Sequence, residues 1–223
     1  MTLILATNNE HKRRELGEIL ADHELLLPAE LGLRFSYDET GRSFHENALG
    51  KAQALFEMIR DTATAEPTQR GTTLTGVIAD DSGISVNALD GRPGIYSARY
   101  GSPAEGPDLE DAERNALLLE ELEESEDRRA HYTCCMALVL SRDRYYLCQE
   151  TWHGEITTSP SDGRHGFGYD PIVYVPEEGL TVAEISPERK NAVSHRGKAA
   201  RDIAGLVSYL EAEGRLDDGV ATP

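Results

Sequence analysis

A chain of 223 residues, 39% of them hydrophobic and 28% charged, has the composition of an ordinary soluble globular protein, large enough for one sizeable core or for two lobes sharing a sheet. Its formal net charge of −18 argues against DNA or RNA as a partner, because long polyanions are bound by Lys and Arg that neutralise phosphates. A small anion held by a few local cations stays open. No apolar run approaches membrane-spanning length, and the opening MTLILATNNEHK turns polar too early for a secretion signal, so the expected location is the cytoplasm with no membrane partner.

Residues 2–6, TLILA, form an apolar run suited to a buried strand, and Leu16, Ile19 and Leu20 follow at helical spacing. A second strand is expected between residues 25 and 35. Ser43 and Glu46 then make a capping box that opens a helix with Phe44, Ala48, Leu55, Phe56 and Ile59 as its buried stripe. Residues 61–76, rich in Thr, Ala, Pro and Gly, lack periodicity and read as a mobile surface loop. GVIAD and ISVNAL read as two strands flanking the pair Asp80 and Asp81. The acidic stretch 108–127 reads as a helix with one apolar stripe and a solvated face. AHYTCCMALVL and RYYLCQETW, joined by SRD, predict an antiparallel hairpin, so the sheet is mixed. The glycine-rich GRHGFGYDPIVYVP leads into a further strand. Ser186 with Pro187 and then Ser194 mark two helix starts, and Gly214 marks a C-cap. One domain over 1–214 with a frayed tail over 215–223 is the resulting organisation. Cys134, Cys135 and Cys148 read as reduced thiols, the first two on opposite strand faces. No Cys or His spacing resembles a zinc site, so any metal would be held by oxygen.

Three constellations carry polar chemistry. The first is TNNEHK, with Thr7, Asn8, Asn9, Glu10, His11 and Lys12 at a strand-to-helix turn, where free N–H groups and a lysine favour an anion; a plain polar N-cap with a solvated lysine is the simpler reading. The second gathers Asp38, Glu39, Asp80 and Asp81 beside expected turns, with Asn47 and Lys51 one helical turn apart. Asp, Ser and Gly are turn residues in their own right, whereas two carboxylates at a strand end would also suit Mg²⁺, which takes one or two carboxylates together with waters and phosphate oxygens. The third is GFGYDP with Lys190, Ser194, His195 and Arg196. Phe167 or Tyr169 there could stack on a base, while Arg196 or His195 donates to a carbonyl oxygen.

In order along the chain, ATNNEHKRRE, ETGRSFHENALGKA, ADDSGISVNAL, GRPGIYSARYG, HGFGYDPI and AEISPERKNAVSHRGKA resemble the inosine triphosphate pyrophosphatase-like nucleoside triphosphate pyrophosphatases, over roughly residues 5 to 200. The resemblance implies an α/β fold: an elongated mixed sheet with flanking helices, two lobes with a nucleotide cleft between them, and a homodimer. It implies hydrolysis of ITP, dITP or XTP to the monophosphate and pyrophosphate with Mg²⁺. By the same resemblance, Thr7, Asn8, Asn9, Glu10, His11 and Lys12 form the triphosphate loop and Lys51 contacts phosphate. Asp81 is the proton acceptor and a metal ligand, Asp38 is the second metal ligand with Glu39 as its near-register alternative, and Ser82 touches substrate. Phe167, Gly168, Tyr169 and Asp170 form the base and sugar loop, and Lys190, His195 and Arg196 read the base. Two departures stand out: Asn8 occupies the position of a family glycine, and the 61–76 connection is long. A pyrophosphatase for other modified nucleotides and a non-catalytic nucleotide sensor are the alternatives.

Overall fold

The computed structural model describes residues 2–65, 74–103 and 105–215. Among them, seven strands form one mixed sheet: β1 (Thr2–Leu5), β2 (Glu24–Leu26), β3 (Leu74–Val86), β4 (Arg129–Val139), β5 (Tyr145–Ile156), β6 (Val173–Val175) and β7 (Leu180–Thr181). Their order is β2-β1-β3-β4-β5-β6-β7. Parallel pairing joins β1 to β2 and to β3, and antiparallel pairing joins β6 to β5 and to β7. The flanking helices are α1 (Glu10–Ile19), α2 (Phe44–Ala65), α3 (Asp111–Glu121), α4 (Pro187–Val193) and α5 (His195–Ala212). All four residues of β1 are buried, as a short continuous apolar strand covered on both faces requires.

Three sequence expectations are corrected. The second strand ends at Leu26, because Pro28 brings no N–H to a ladder and opens a 3₁₀ turn over Pro28–Leu31. Residues 61–65, read as loop, extend α2, and β3 begins at Leu74; residues 66–73 of that expected loop lie outside the described residues. Alanine, present there as Ala63 and Ala65, propagates a helix well without any periodic apolar face.

The third correction bears on the site. The two strands expected around Asp80 and Asp81 are one strand, β3, running without a turn from Leu74 to Val86. Successive side chains on a strand leave on opposite faces, so neighbouring carboxylates need not confront each other. Asp80 and Asp81 are both buried, at 1% and 4% exposure, and each finds its own partners.

Two compact units divide the chain. The first holds Met1–Asp81, Cys135–Gln149 and Ala199–Pro223, with Ile4, Ala48, Leu55, Val77, Ala137 and Val139 in its core. The second holds Ser82–Cys134 and Glu150–Lys198, built on Ile84, Leu118, Leu122, Trp152, Ile172 and Val173. Cys134, Cys135 and Cys148 form no disulfide; the first two are buried and the third is half-buried. Burial pushes Cys135 up to about 12, so it stays a neutral thiol at physiological pH. Gly214, with φ 64°, follows α5 as read; residues 216–223 of the expected tail lie outside the described residues.

Candidate active site

In the first unit the site starts from a helix cap. Asn9 Oδ1 accepts from the N–H groups of His11 at 2.9 Å and Lys12 at 3.2 Å, and Thr7 Oγ1 accepts from the Asn9 N–H; this satisfies the orphan donors that begin α1. Glu10 and His11 are exposed. Lys12, one turn into the helix, is not solvated: its Nζ lies 2.9 Å from Asp80 Oδ2. The simpler reading of this turn therefore holds for the cap and fails for the lysine. Asn8 donates from Nδ2 to the Phe35 carbonyl at 3.1 Å. Among the described non-glycine residues, Asp90 alone has a positive φ, so Asn8 sits here without a left-handed backbone.

Helix α2 supplies the opposing wall. The Glu46 N–H donates to Ser43 Oγ at 3.1 Å, and the Glu46 carboxylate accepts from the Arg42 N–H at 2.7 Å, fixing the entry of the helix. One turn apart, Asn47 and Lys51 then face β3. Asn47 Nδ2 donates to Asp81 Oδ2 at 2.9 Å. Lys51 pairs with the Glu39 carboxylate and donates to the Asp80 carbonyl at 3.2 Å. Asp38 is exposed, while its neighbour Glu39 is half-buried against Lys51.

Lys12 and Lys51 thus lie among the carboxylates of Glu39, Asp80 and Asp81. Burial and the charge of Glu39 push Asp81 up to about 6, against the Asn47 hydrogen bond and the two lysines. Burial alone would lower Lys51, but the charges of Asp80 and Glu39 outweigh it and hold the lysine above its usual value. No group of three His, Cys, Asp or Glu side chains suited to a metal occurs among the described residues. The donor chemistry nevertheless fits Mg²⁺, a hard cation content with one or two carboxylates, water and phosphate oxygens, and it does not fit a soft thiolate-bound metal.

The second unit carries a different constellation. Asp170 is buried; its Oδ1 accepts from the Tyr132 hydroxyl at 3.1 Å, and its Oδ2 accepts from Lys190 Nζ at 2.8 Å and from the Phe167 N–H at 2.9 Å. Burial and the Asp170 charge push the Tyr132 hydroxyl well above its usual value, so it remains a donor. Lys190 and Arg196 sit 4.9 and 5.6 Å from the Phe167 ring centre, within cation–π range. Arg196 also donates to Ser82 Oγ at 2.7 Å. His195 stacks on Tyr132 at 4.7 Å with the rings 4° from parallel, and lies 6.4 Å from Trp152. Tyr169, expected as a stacking surface, is buried and donates to the Ser97 carbonyl at 2.9 Å; Phe167 remains half-exposed. Gly168 is held by α3, its N–H donating to Asp111 at 2.6 Å and its carbonyl accepting from Asn115 at 3.0 Å.

Sequence reasoning missed Tyr132 and Trp152 as members of these sets, and it placed Asn47 beside Lys51 without its partner Asp81. Asn47 carried a signal, since it is a polar residue beside the apolar stripe of α2 and is fully buried there. Tyr132 and Trp152 look like ordinary strand residues in the sequence, and only cross-strand pairing reveals that they flank His195.

The fold and these two sets define an α/β protein of the Ham1 structural class. Solved structures of a HAM1 protein from Coxiella burnetii (36% identical, TM-score 0.76, 94% of this chain and 99% of that one) and of the Staphylococcus aureus Ham1 protein (36%, 0.73, 96% and 100%) share it. Residues 3–206 match the Ham1 family, and the chain belongs to that family. Curated relatives include the dITP/XTP pyrophosphatases of Treponema denticola, 42% identical over 93% of this chain and 98% of that protein, and of Burkholderia pseudomallei, 43% identical over 93% and 94%.

Proposed function

We propose that the chain hydrolyses triphosphates of deaminated purine nucleosides, ITP, dITP and XTP, to the monophosphate and pyrophosphate, and so clears them from the nucleotide pool. The observation that carries this reading is the buried set of Glu39, Asp80 and Asp81 with Lys12 and Lys51, in a chain whose full-length relatives bear the name dITP/XTP pyrophosphatase. Asp81 would hold Mg²⁺ with Glu39, the alternative to the expected Asp38, because Asp38 is exposed while Glu39 is half-buried against Lys51. The cation would neutralise phosphate charge and make a bound water more acidic. Asp81, pushed up to about 6, is suited to accept the proton of the attacking water near neutral pH. Lys12 and Lys51 exchange their carboxylate partners for phosphate oxygens and stabilise charge on the departing pyrophosphate.

In the second unit, Phe167 offers a ring to a purine, and Ser82 and Gly168 belong to the same constellation. Asp170 already accepts from Tyr132, Phe167 and Lys190, so the groups on offer to a base are donors, Arg196, His195 and Lys190. A carbonyl at purine position 6 satisfies a donor, whereas the adenine amino group leaves it unpaired, and a buried unpaired donor discriminates strongly. A cytoplasmic homodimer is the setting that the family resemblance implies.

The test is pyrophosphate release by purified protein with Mg²⁺ and inosine, xanthosine, adenosine and guanosine triphosphates in parallel. Release from the first two and not from adenosine triphosphate is the result that the base reading expects. Equal turnover of ATP would overturn the base reading, and binding without release from any would leave a nucleotide sensor.

A further inference from the structure

Asn47 is fully buried, and both ends of its amide are engaged. Its Oδ1 accepts from the Gly41 N–H at 2.8 Å, and its Nδ2 donates to Asp81 Oδ2 at 2.9 Å. The orientation is forced: a backbone N–H can only donate, so Oδ1 must face Gly41, which leaves Nδ2 for the carboxylate. No other side chain of this size supplies an acceptor and a donor in that arrangement; Asp lacks the donor and Leu lacks both. The approach is close as well, since a Cβ on residue 41 would lie 2.6 Å from Asn47 Oδ1. The turn gripped in this way is the one that carries Glu39, which Lys51 holds from the next turn of the same helix. Glu46 grips Arg42 just beyond it.

We propose that Asn47 is a positioning residue that clamps Asp81 to the Glu39–Gly41 turn and so sets the spacing of the two carboxylates that take the divalent cation; this rests on the metal-dependent reading of the site given above. Lys51 and Asn47 divide the work. In the nucleotide-free protein the lysine holds Glu39 by charge, and the amide holds Asp81 by a directional hydrogen bond without adding charge. Neither competes for the cation, because an ammonium cannot ligate and both polar ends of the amide are already occupied.

The experiment compares wild type with Asn47→Ala, the near-isosteric Asn47→Asp, Asp81→Asn and the Asn47→Ala/Asp81→Asn double variant. Melting curves verify folding, dITP turnover with saturating Mg²⁺ gives kcat and KM, and the free-Mn²⁺ electron paramagnetic resonance signal measures cation binding to nucleotide-free protein. The expected loss in kcat for either single Asn47 variant is about 10- to 100-fold, the range for a hydrogen bond to a charged group, with KM for the nucleotide held within about 3-fold. Mn²⁺ affinity falls in folded Asn47→Ala. In the Asp81→Asn background the same Ala change costs less than about 2-fold, because its target is already gone. Unchanged kcat and Mn²⁺ binding in folded Asn47 variants would overturn the clamp, as would a fully additive loss in the double variant. If Asp81→Asn alone kept wild-type turnover, the catalytic assignment of Asp81 would fall, and the Mn²⁺ affinity of Asn47→Ala would still decide the clamp.

Discussion

The two charged sets of this protein are built on opposite principles. In the first unit, Glu39, Asp80 and Asp81 face Lys12 and Lys51, and Asp81 is left with a raised affinity for protons because burial and a neighbouring acid outweigh its donors. In the second, the buried Asp170 takes Lys190, Tyr132 and the Phe167 N–H, so its lone pairs are well supplied. In one set burial and a like charge outweigh the donors around Asp81; in the other the buried acid is met by a cation and two further donors. The contrast separates an acid that ionises at a cost from one whose ionised form is held.

The strongest test of that contrast is Asp81→Asn. Turnover should fall about 10³-fold or more, as expected when a general base and metal ligand is lost, while the metal-free fold gains stability. The sign follows from linkage. Native Asp81 is raised from 3.8 to about 6, so its contribution to stability is present below the lower value and is lost as pH rises through the upper one. Above pH 6 the ionised acid costs roughly 3 kcal/mol, and an amide removes that cost. Chelator-treated protein at pH 7.5 should therefore melt several degrees higher as the variant than as wild type, and a lower melting point would remove the idea of an acid that ionises at a cost.

Lys190→Met should act in the reverse sense. It leaves the Asp170 carboxylate buried without its cation, a loss of about 3–5 kcal/mol, visible as a lower denaturation midpoint before any kinetic effect is considered. A neutral or stabilising result would mean that Asp170 is not held by charge. A smaller effect is expected from pH on the first set alone. Mg²⁺ should raise the melting temperature of wild type above pH 6, and its apparent affinity should drop by about tenfold per pH unit below Asp81's raised value, as a proton displaces the metal. Asp81→Asn should abolish that dependence.

Much of this division was legible in the sequence, and the reasons for the misses are physical. Apolar periodicity located β1, α1, α2 and the β4–β5 hairpin, and Ser43, Ser186 and Ser194 marked helix starts because caps are local chemistry. Asp80 and Asp81 read as a turn between two strands because Asp, Ser and Gly favour turns within a short window. What keeps them in β3 is Lys12 on α1 and Asn47 on α2, partners no local window contains. Lys12 and Lys51 stood out as cations, but their pairing with buried acids did not. Tyr169 looked available for a base until the fold committed its hydroxyl to Ser97. Burial of polar residues, unlike burial of apolar ones, has no period to read.

The least disruptive change should be Asn8→Gly, which installs the glycine that the sequence resemblance leads one to expect at this position. If glycine were needed for a left-handed backbone, Asn8 would be strained and the substitution would stabilise. Its φ is not in that region, and its Nδ2 donates to Phe35, so glycine removes a half-exposed hydrogen bond and adds freedom to the unfolded chain. Together these cost about 0.5–1.5 kcal/mol, or roughly 2–5 °C in melting temperature for a domain of this size. Asn9 still caps α1 and Lys12 still reaches Asp80, neither through Asn8, so KM for dITP should stay within about 3-fold. A tenfold change in KM with an unchanged melt would instead make Asn8 a direct reader of the triphosphate, and would shift the receiving part of the first set from its buried acids to the turn that precedes α1.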